Sequence, residues 1–213
     1  CRLCVWGAAL TQGVGILGGK RFGEKAEKAV ACVEAGPEVL DRRLDRITTM
    51  TVDCLKYQAA CGVAAVRLVE SAAFLRTPAQ DHECALPYQQ RIFEALKGVV
   101  YTINFAREWD SLADLDAAGA DVVSLPASVT VREARAQLGP DRVLQGNLDN
   151  RLLAYGDEAA IAAAVRECVE GGEHRAHIFN LSHGLLRETP FKRVTGLVEQ
   201  VQAIRLDNVE GVT

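Results

Sequence analysis

Short apolar runs alternate with longer stretches of helical periodicity, and this alternation constrains the fold more than any other feature of the chain. The sequence predicts strands at residues 3–6, 64–69, 99–105, 121–125, 143–146 and 177–181. It predicts helices at residues 21–34, 37–61, 79–97, 110–118, 129–138, 157–170 and 190–206. Strands that alternate with helices in this way are typical of a parallel sheet covered by helices. The pattern therefore predicts an α/β fold, either a (β/α)8 barrel or an open doubly wound sheet.

Composition excludes several classes of protein. The 213 residues are 49% hydrophobic and 24% charged, which is ordinary for a globular protein. No run reaches the roughly 18–20 apolar residues that a bilayer-spanning helix needs, so we expect no membrane partner. The net charge of −4 and the aromatic content of 6% argue against nucleic acid as a partner. We expect one domain over residues 1–213.

The seven cysteines are odd in number and irregularly spaced. Several lie in apolar runs, a pattern typical of buried and reduced thiols. This usage indicates a reducing compartment, so we expect the protein in the cytoplasm or in a plastid. The chain begins at Cys1 without a leader sequence, and we expect it to be a fragment that lacks its amino-terminal part.

Polar side chains gather at the carboxyl ends of four predicted strands. They are Glu70 and Ser71; Asn104, Arg107 and Glu108; Gln145, Asn147 and Asp149; and Asn180, Ser182 and His183. Reactive groups of parallel α/β folds lie at this edge, so these residues are the candidate site. Turn and cap roles explain Asn147 and Asp149 equally well. The position of His183 favours function, whereas His174 and His177 lie at the opposite edge, where we expect structural roles.

Two other motifs are weaker. Gly13, Gly15 and Gly18 match G-x-G-x-x-G, but no acidic residue ends a second strand about 20 residues later, which argues against a dinucleotide site. His82 and Cys84 have a spacing that a metal could use. They lie in a predicted helix, where residues two apart point in different directions, so we expect no metal site.

Several segments together resemble the uroporphyrinogen decarboxylase family. The most specific are Leu144-Gln145-Gly146-Asn147-Leu148-Asp149 and His177-Ile178-Phe179-Asn180-Leu181-Ser182-His183-Gly184. Weaker matches are Val69-Glu70-Ser71-Ala72, Ala85-Leu86-Pro87-Tyr88 and Gly119-Ala120-Asp121-Val122-Val123. Their order and spacing agree with the family over almost the whole chain.

The resemblance implies a (β/α)8 barrel of the TIM type that is incomplete here, with about six β/α units present. It implies a carboxy-lyase that removes carbon dioxide from the acetate side chains of uroporphyrinogen, giving coproporphyrinogen for haem and chlorophyll synthesis. The family uses no metal or organic cofactor and is commonly a homodimer. We therefore expect a tetrapyrrole substrate, no cofactor, and a homodimer for the full-length protein.

By the same resemblance, Ser71 and His183 match positions that contact the tetrapyrrole carboxylates. Both can donate hydrogen bonds to a carboxylate. Arg107, Gln145 and Asn147 are further candidates for substrate binding. The family's catalytic aspartate and arginine-rich segment have no counterpart here and are expected upstream, so the catalytic residues stay unassigned. We expect these 213 residues alone to be inactive.

The chain also departs from the family pattern. Gly15 stands near a family tyrosine, the pair Arg107-Glu108 replaces lysine-glycine, and Ser182 stands where glycine is common. Two alternatives stay open. A cobalamin-dependent methyltransferase of the same superfamily would need zinc-binding His-x-Cys and Cys residues at strand ends, and the chain lacks them at the expected places. The other alternative is a non-catalytic relative that binds a tetrapyrrole or only a partner.

Overall fold

A computed structural model describes residues 3–8, 12, 37–71, 73, 78–106, 109, 111–173 and 175–204 of the protein. The chain divides into two compact units, residues 1–123 and 124–213. Across the described residues, six strands alternate with helices, and the pairings that are resolved between strands are parallel. No helix within these ranges is both long and apolar enough to span a membrane. The predicted helix at 21–34 and the glycine motif lie outside the described residues.

The first unit holds three complete strands and reaches into a fourth. Its elements are β1 (Leu3–Gly7), α1 (Pro37–Ala60), β2 (Ala65–Glu70), α2 (Pro78–Cys84), α3 (Leu86–Leu96), β3 (Tyr101–Ala106), α4 (Leu112–Ala117) and β4 (Val122–Ser124). β2 pairs in parallel with β1 and with β3, and β3 pairs with β4. Val66 and Leu68 of β2 are buried in one cluster with Ile92 and Leu96 of α3. Because side chains alternate along a strand, the odd-numbered residues of β2 face away from α3.

A clasp between Thr102 and Asp121 joins the amino-terminal ends of β3 and β4. The N–H and the hydroxyl of Thr102 both donate to Oδ2 of Asp121, each at 2.8 Å. The N–H of Asp121 donates in return to the Thr102 hydroxyl at 2.9 Å. These bonds fix the register that pairs Ile103 with Val122.

The second unit continues the alternation of strands and helices. Its elements are α5 (Val131–Leu138), β5 (Val143–Gln145), α6 (Asn150–Tyr155), α7 (Glu158–Gly171), β6 (His177–Ile178) and α8 (Phe191–Ala203). β5 and β6 pair in parallel. The core of this unit is a cluster of Leu148, Leu153, Ile161, Val165 and Leu197, contributed by α6, α7, α8 and the loop after β5.

The structure confirms the predicted α/β fold, and the described residues hold six of the eight strands of a (β/α)8 barrel. Three elements differ from the prediction. The helix expected at 79–97 is two helices, because Pro87 lies in the first turn of α3, where its missing N–H is not needed, and cannot continue α2. The short helix α6 was missed, and the last strand ends at Ile178 with one further bridge between Leu148 and Leu181. The single domain stays a prediction.

Candidate functional site

The carboxyl end of β2 carries the first predicted site residue. β2 ends at Glu70, which is buried, and Ser71 follows in the turn, where it is half-buried. Loops that leave this end of a parallel strand are where α/β enzymes place substrate-binding groups. Arg107, which directly follows β3 in the sequence, lies outside the described residues.

Gln145 is the last residue of β5 and is 4% exposed. Its backbone carbonyl accepts a hydrogen bond from the N–H of Leu125 at 2.8 Å. Its side-chain Oε1 is buried and accepts no hydrogen bond from any described residue. A buried amide oxygen without a donor costs free energy, so Oε1 is suited to accept a hydrogen bond from a ligand.

Asn147 braces two loops of the second unit. Its side-chain nitrogen donates to the carbonyl of Pro126 at 2.8 Å and to the carbonyl of Val129. Both amide protons are therefore engaged by the loop after β4, and Asn147 offers a substrate only its amide oxygen. The structural role that the sequence left open for Asn147 is present, and a ligand role is confined to that oxygen.

Two side chains hold the carbonyl of Gly146, between Gln145 and Asn147. The thiol of Cys168 donates to this carbonyl at 3.1 Å, and Nε2 of His177 donates to it at 2.6 Å. Burial raises the pKa of Cys168 to about 11 and lowers the pKa of His177, so both groups are neutral donors near neutral pH. His177 has the expected structural role. It begins β6, as predicted, and its ring reaches the carbonyl of the first residue after β5.

His183 is exposed on a loop whose backbone is fixed on both sides. The N–H of Ser182 donates to the carbonyl of Leu148 at 2.8 Å, and the side chain of Asn150 donates to the carbonyl of Gly184 at 2.7 Å. Asn147 directly precedes Leu148 and His183 directly follows Ser182, so both residues flank this hydrogen bond between the two loops. The structure brings these two predicted site residues to the same part of the second unit.

Sequence reasoning missed one charged side chain on the sheet face that turns away from α3. Arg67, in the middle of β2, is half-buried, and its Cζ lies 4.3 Å from the centroid of the Phe105 ring. The alternation of β2 carries the signal, because Arg67 stands between the buried residues Val66 and Leu68.

His82, part of the weaker motif with Cys84, contacts an acidic side chain of another helix. Nε2 of His82 lies 2.8 Å from Oδ1 of Asp114, which joins α2 to α4. Over the described residues, no group of three or more histidine, cysteine, aspartate or glutamate side chains is placed to bind a metal ion.

Comparisons with known proteins agree on one family. The family model described as "Uroporphyrinogen decarboxylase (URO-D)" matches residues 8–204. The uroporphyrinogen decarboxylase of Streptomyces coelicolor is 36% identical over 178 residues, which are 82% of this chain and 50% of that protein. Uroporphyrinogen decarboxylase 2, chloroplastic, of Arabidopsis thaliana is 35% identical over 173 residues, covering 79% of this chain and 44% of that protein. The chain thus spans about half the length of these relatives.

A solved structure supports the fold alone. A methyltransferase from Methanosarcina mazei superposes with a TM-score of 0.75 at 17% sequence identity, over 93% of this chain and 58% of that protein.

Proposed function

The chain belongs to the uroporphyrinogen decarboxylase family, and from that premise we propose that it contributes substrate-binding residues to an enzyme that decarboxylates uroporphyrinogen. The family match over residues 8–204 carries this proposal, because it includes both Ser71 and His183. The exposed imidazole of His183 on its fixed loop supports it, since a fixed donor loses little conformational entropy when it binds a carboxylate.

The proposed reaction converts the acetate side chains to methyl groups. A proton adds to an electron-rich pyrrole carbon beside the acetate, which makes the ring a cationic electron sink. The bond to the carboxylate carbon then breaks, its electron pair enters the ring, and carbon dioxide leaves. A proton takes the place of the carboxylate, and the proton first added to the ring is released. The protein must hold the substrate and stabilise the cation.

The candidate residues serve this reaction by binding the substrate. Ser71 and His183 donate hydrogen bonds to substrate carboxylates, and a protonated His183 adds charge assistance. Arg107 pairs with a further carboxylate. Gln145 Oε1 and Asn147 Oδ1 are acceptors, so they accept hydrogen bonds from pyrrole N–H groups of the substrate. On the same premise we propose that the full-length protein forms a homodimer and is located in the cytoplasm or in a plastid.

A chimera tests the proposed function. The chain replaces its matching segment in the Streptomyces coelicolor relative, and coproporphyrinogen formation is followed from uroporphyrinogen. We expect turnover by the chimera and none by the 213 residues alone. Robust turnover by the chain alone would refute our expectation that it is inactive, and an inactive, folded chimera would refute the proposal.

Two variants of the chimera test the named residues. Ser71→Ala and His183→Gln should each lower kcat/KM by about tenfold, the cost of one charge-assisted hydrogen bond. His82→Gln is the matched control, because His82 is an exposed histidine that contacts Asp114, and it should leave kcat/KM unchanged. Equal effects of His82→Gln and His183→Gln would contradict the assignment of His183.

A further inference from the structure

Arg67 lies on the face of the first unit's sheet that turns away from α3. Its neighbours Val66 and Leu68 are 1% exposed and pack in the cluster that contains residues of α3. Arg67 therefore faces the other way, together with its register partners Val5 of β1 and Ile103 of β3. In a barrel of this type, the side chains that point away from the helices point toward the barrel axis.

The guanidinium of Arg67 meets an aromatic ring nearer the carboxyl ends of the strands. Arg67 pairs in register with Ile103, whereas Phe105 pairs with Val69, two residues further along β2. The Cζ atom of Arg67 nevertheless lies 4.3 Å from the centroid of the Phe105 ring. The side chain of Arg67 thus extends toward the carboxyl end of β2, where Ser71 follows. Substrates of this fold bind at this edge of the sheet.

A guanidinium that stacks on an aromatic ring can still bind a carboxylate. Stacking uses the flat face of a guanidinium, whereas carboxylates bind along its edge, so one arginine can do both. Arg67 is half-buried, and this burial lowers the pKa of its guanidinium. A carboxylate that binds along the edge of a guanidinium forms charge-assisted hydrogen bonds, which favour the cation.

We propose that Arg67, held on the Phe105 ring, binds a carboxylate of the substrate. This inference rests on the proposed function for the identity of the substrate as a polycarboxylate tetrapyrrole. It adds a cation in the middle of β2 to the hydrogen-bond donor Ser71 that follows the end of the same strand.

Fluorescence titration of the full chain with two porphyrins tests the inference. Uroporphyrin carries acetate and propionate groups, and coproporphyrin keeps only the propionates. We expect Arg67→Gln to raise the Kd for uroporphyrin by about tenfold, and Arg67→Lys to raise it by a smaller factor because lysine keeps the charge but not the fork. Unchanged Kd values in both variants would overturn the inference.

Arg91→Gln is the matched control. Arg91 also stacks on an aromatic ring, with its Cζ 5.8 Å from the Tyr88 centroid, and it lies on α3 in an ion pair with Asp45. It should change the Kd less than twofold, since it lies on the helix side of the sheet. Circular dichroism establishes that the variants fold. If Arg67→Gln does not fold, Arg67→Lys alone decides, and an unchanged Kd for that variant overturns the inference.

A second probe separates this inference from the proposed function. Tricarballylate, a small tricarboxylate, is added to the chain and the Tm is recorded, because a ligand of the folded state raises it. If tricarballylate raises the Tm of the wild type but not of Arg67→Gln, and no porphyrin binds, the result would support Arg67 as a carboxylate site and refute the tetrapyrrole substrate. Porphyrin binding that is equal in the wild type and the Arg67 variants would refute Arg67 alone. No response to either probe would refute both.

Discussion

The hydrogen bond between His82 and Asp114 makes stability depend on pH. This bond is the main cause that raises the pKa of His82 above its ordinary value of 6.5. Because the pKa of His82 is higher in the folded state, protonation of His82 stabilises the fold. This contribution is fully present below pH 6.5 and is lost as the pH rises through the pKa of the folded state. We therefore expect His82→Gln to lower the Tm more at about pH 5.5 than at about pH 8.5.

The control for this prediction removes the partner. In an Asp114→Asn background the imidazolium loses its hydrogen-bonded carboxylate and keeps only the weaker effect of Asp81, so the effect of His82→Gln on Tm should depend much less on pH. A pH-independent difference between wild type and His82→Gln would contradict the ion pair.

Individual site residues differ in how far the sequence reveals them. Ser71 directly follows β2 and His183 lies on the loop after β6, so the strand pattern alone marks both positions, and their role in binding stays a prediction. The hydrogen bonds of Asn147 to Pro126 and Val129 join residues 21 and 18 positions apart, and no local pattern encodes such contacts. The stacking of Arg67 depends on the register between β2 and β3, which becomes known only when the strands are paired.

At the scale of elements, Arg135 of α5 holds two loops of the second unit. It is 5% exposed, and its guanidinium donates to the carbonyls of Pro140, Arg142 and Arg175 at 2.9, 2.7 and 2.8 Å. Arg135→Met removes these donors and leaves the carbonyls without them. We expect a loss of about 2–4 kcal/mol in the free energy of unfolding, measured by urea denaturation and circular dichroism.

Arg132 supplies the comparison on the same helix. It is exposed, so Arg132→Met should change the free energy of unfolding by no more than about 0.5 kcal/mol. A similar loss in both variants would show that α5 needs positive charge in general and would contradict the specific role of Arg135.

Helix and strand boundaries show where pattern reasoning fails. The periodicity of residues 37–61 predicted α1 almost to the residue, because a long amphipathic stretch leaves few alternatives. Helix α6 has only six residues and too few turns for a period to show. Its signal was Asp149, whose side chain accepts a hydrogen bond from the N–H of Arg151 as an N-cap.

At the scale of the whole molecule, the sheet of the first unit exposes apolar side chains on the face that Arg67 shares. Leu3, Val5 and Tyr101 are 49%, 57% and 72% exposed. Exposed apolar patches bind the dye ANS, so we expect the chain to enhance ANS fluorescence and Tyr101→Thr to reduce the effect. Tyr57→Thr is the control, because Tyr57 is 71% exposed on α1. Equal reductions by the two variants would contradict an apolar sheet face.

The sequence predicted the architecture well because each strand and each helix shows its characteristic spacing of apolar residues within its own segment. It could not reveal that the sheet face of Val5 and Tyr101 is exposed, because exposure depends on contacts between residues that are far apart in the sequence. The chimera offers a check at this scale, because added strands of the relative should cover the face of Val5 and Tyr101 and lower ANS binding.

The clasp between Thr102 and Asp121 has a consequence for protein engineering. All of its donors and acceptors lie within 20 consecutive residues, and the loop that they close is short enough to form at little entropic cost. The segment from β3 to β4 therefore contains the hydrogen bonds that align its two strands. Transferred into another scaffold, this segment should bring with it the three hydrogen bonds that align the start of β3 with the start of β4.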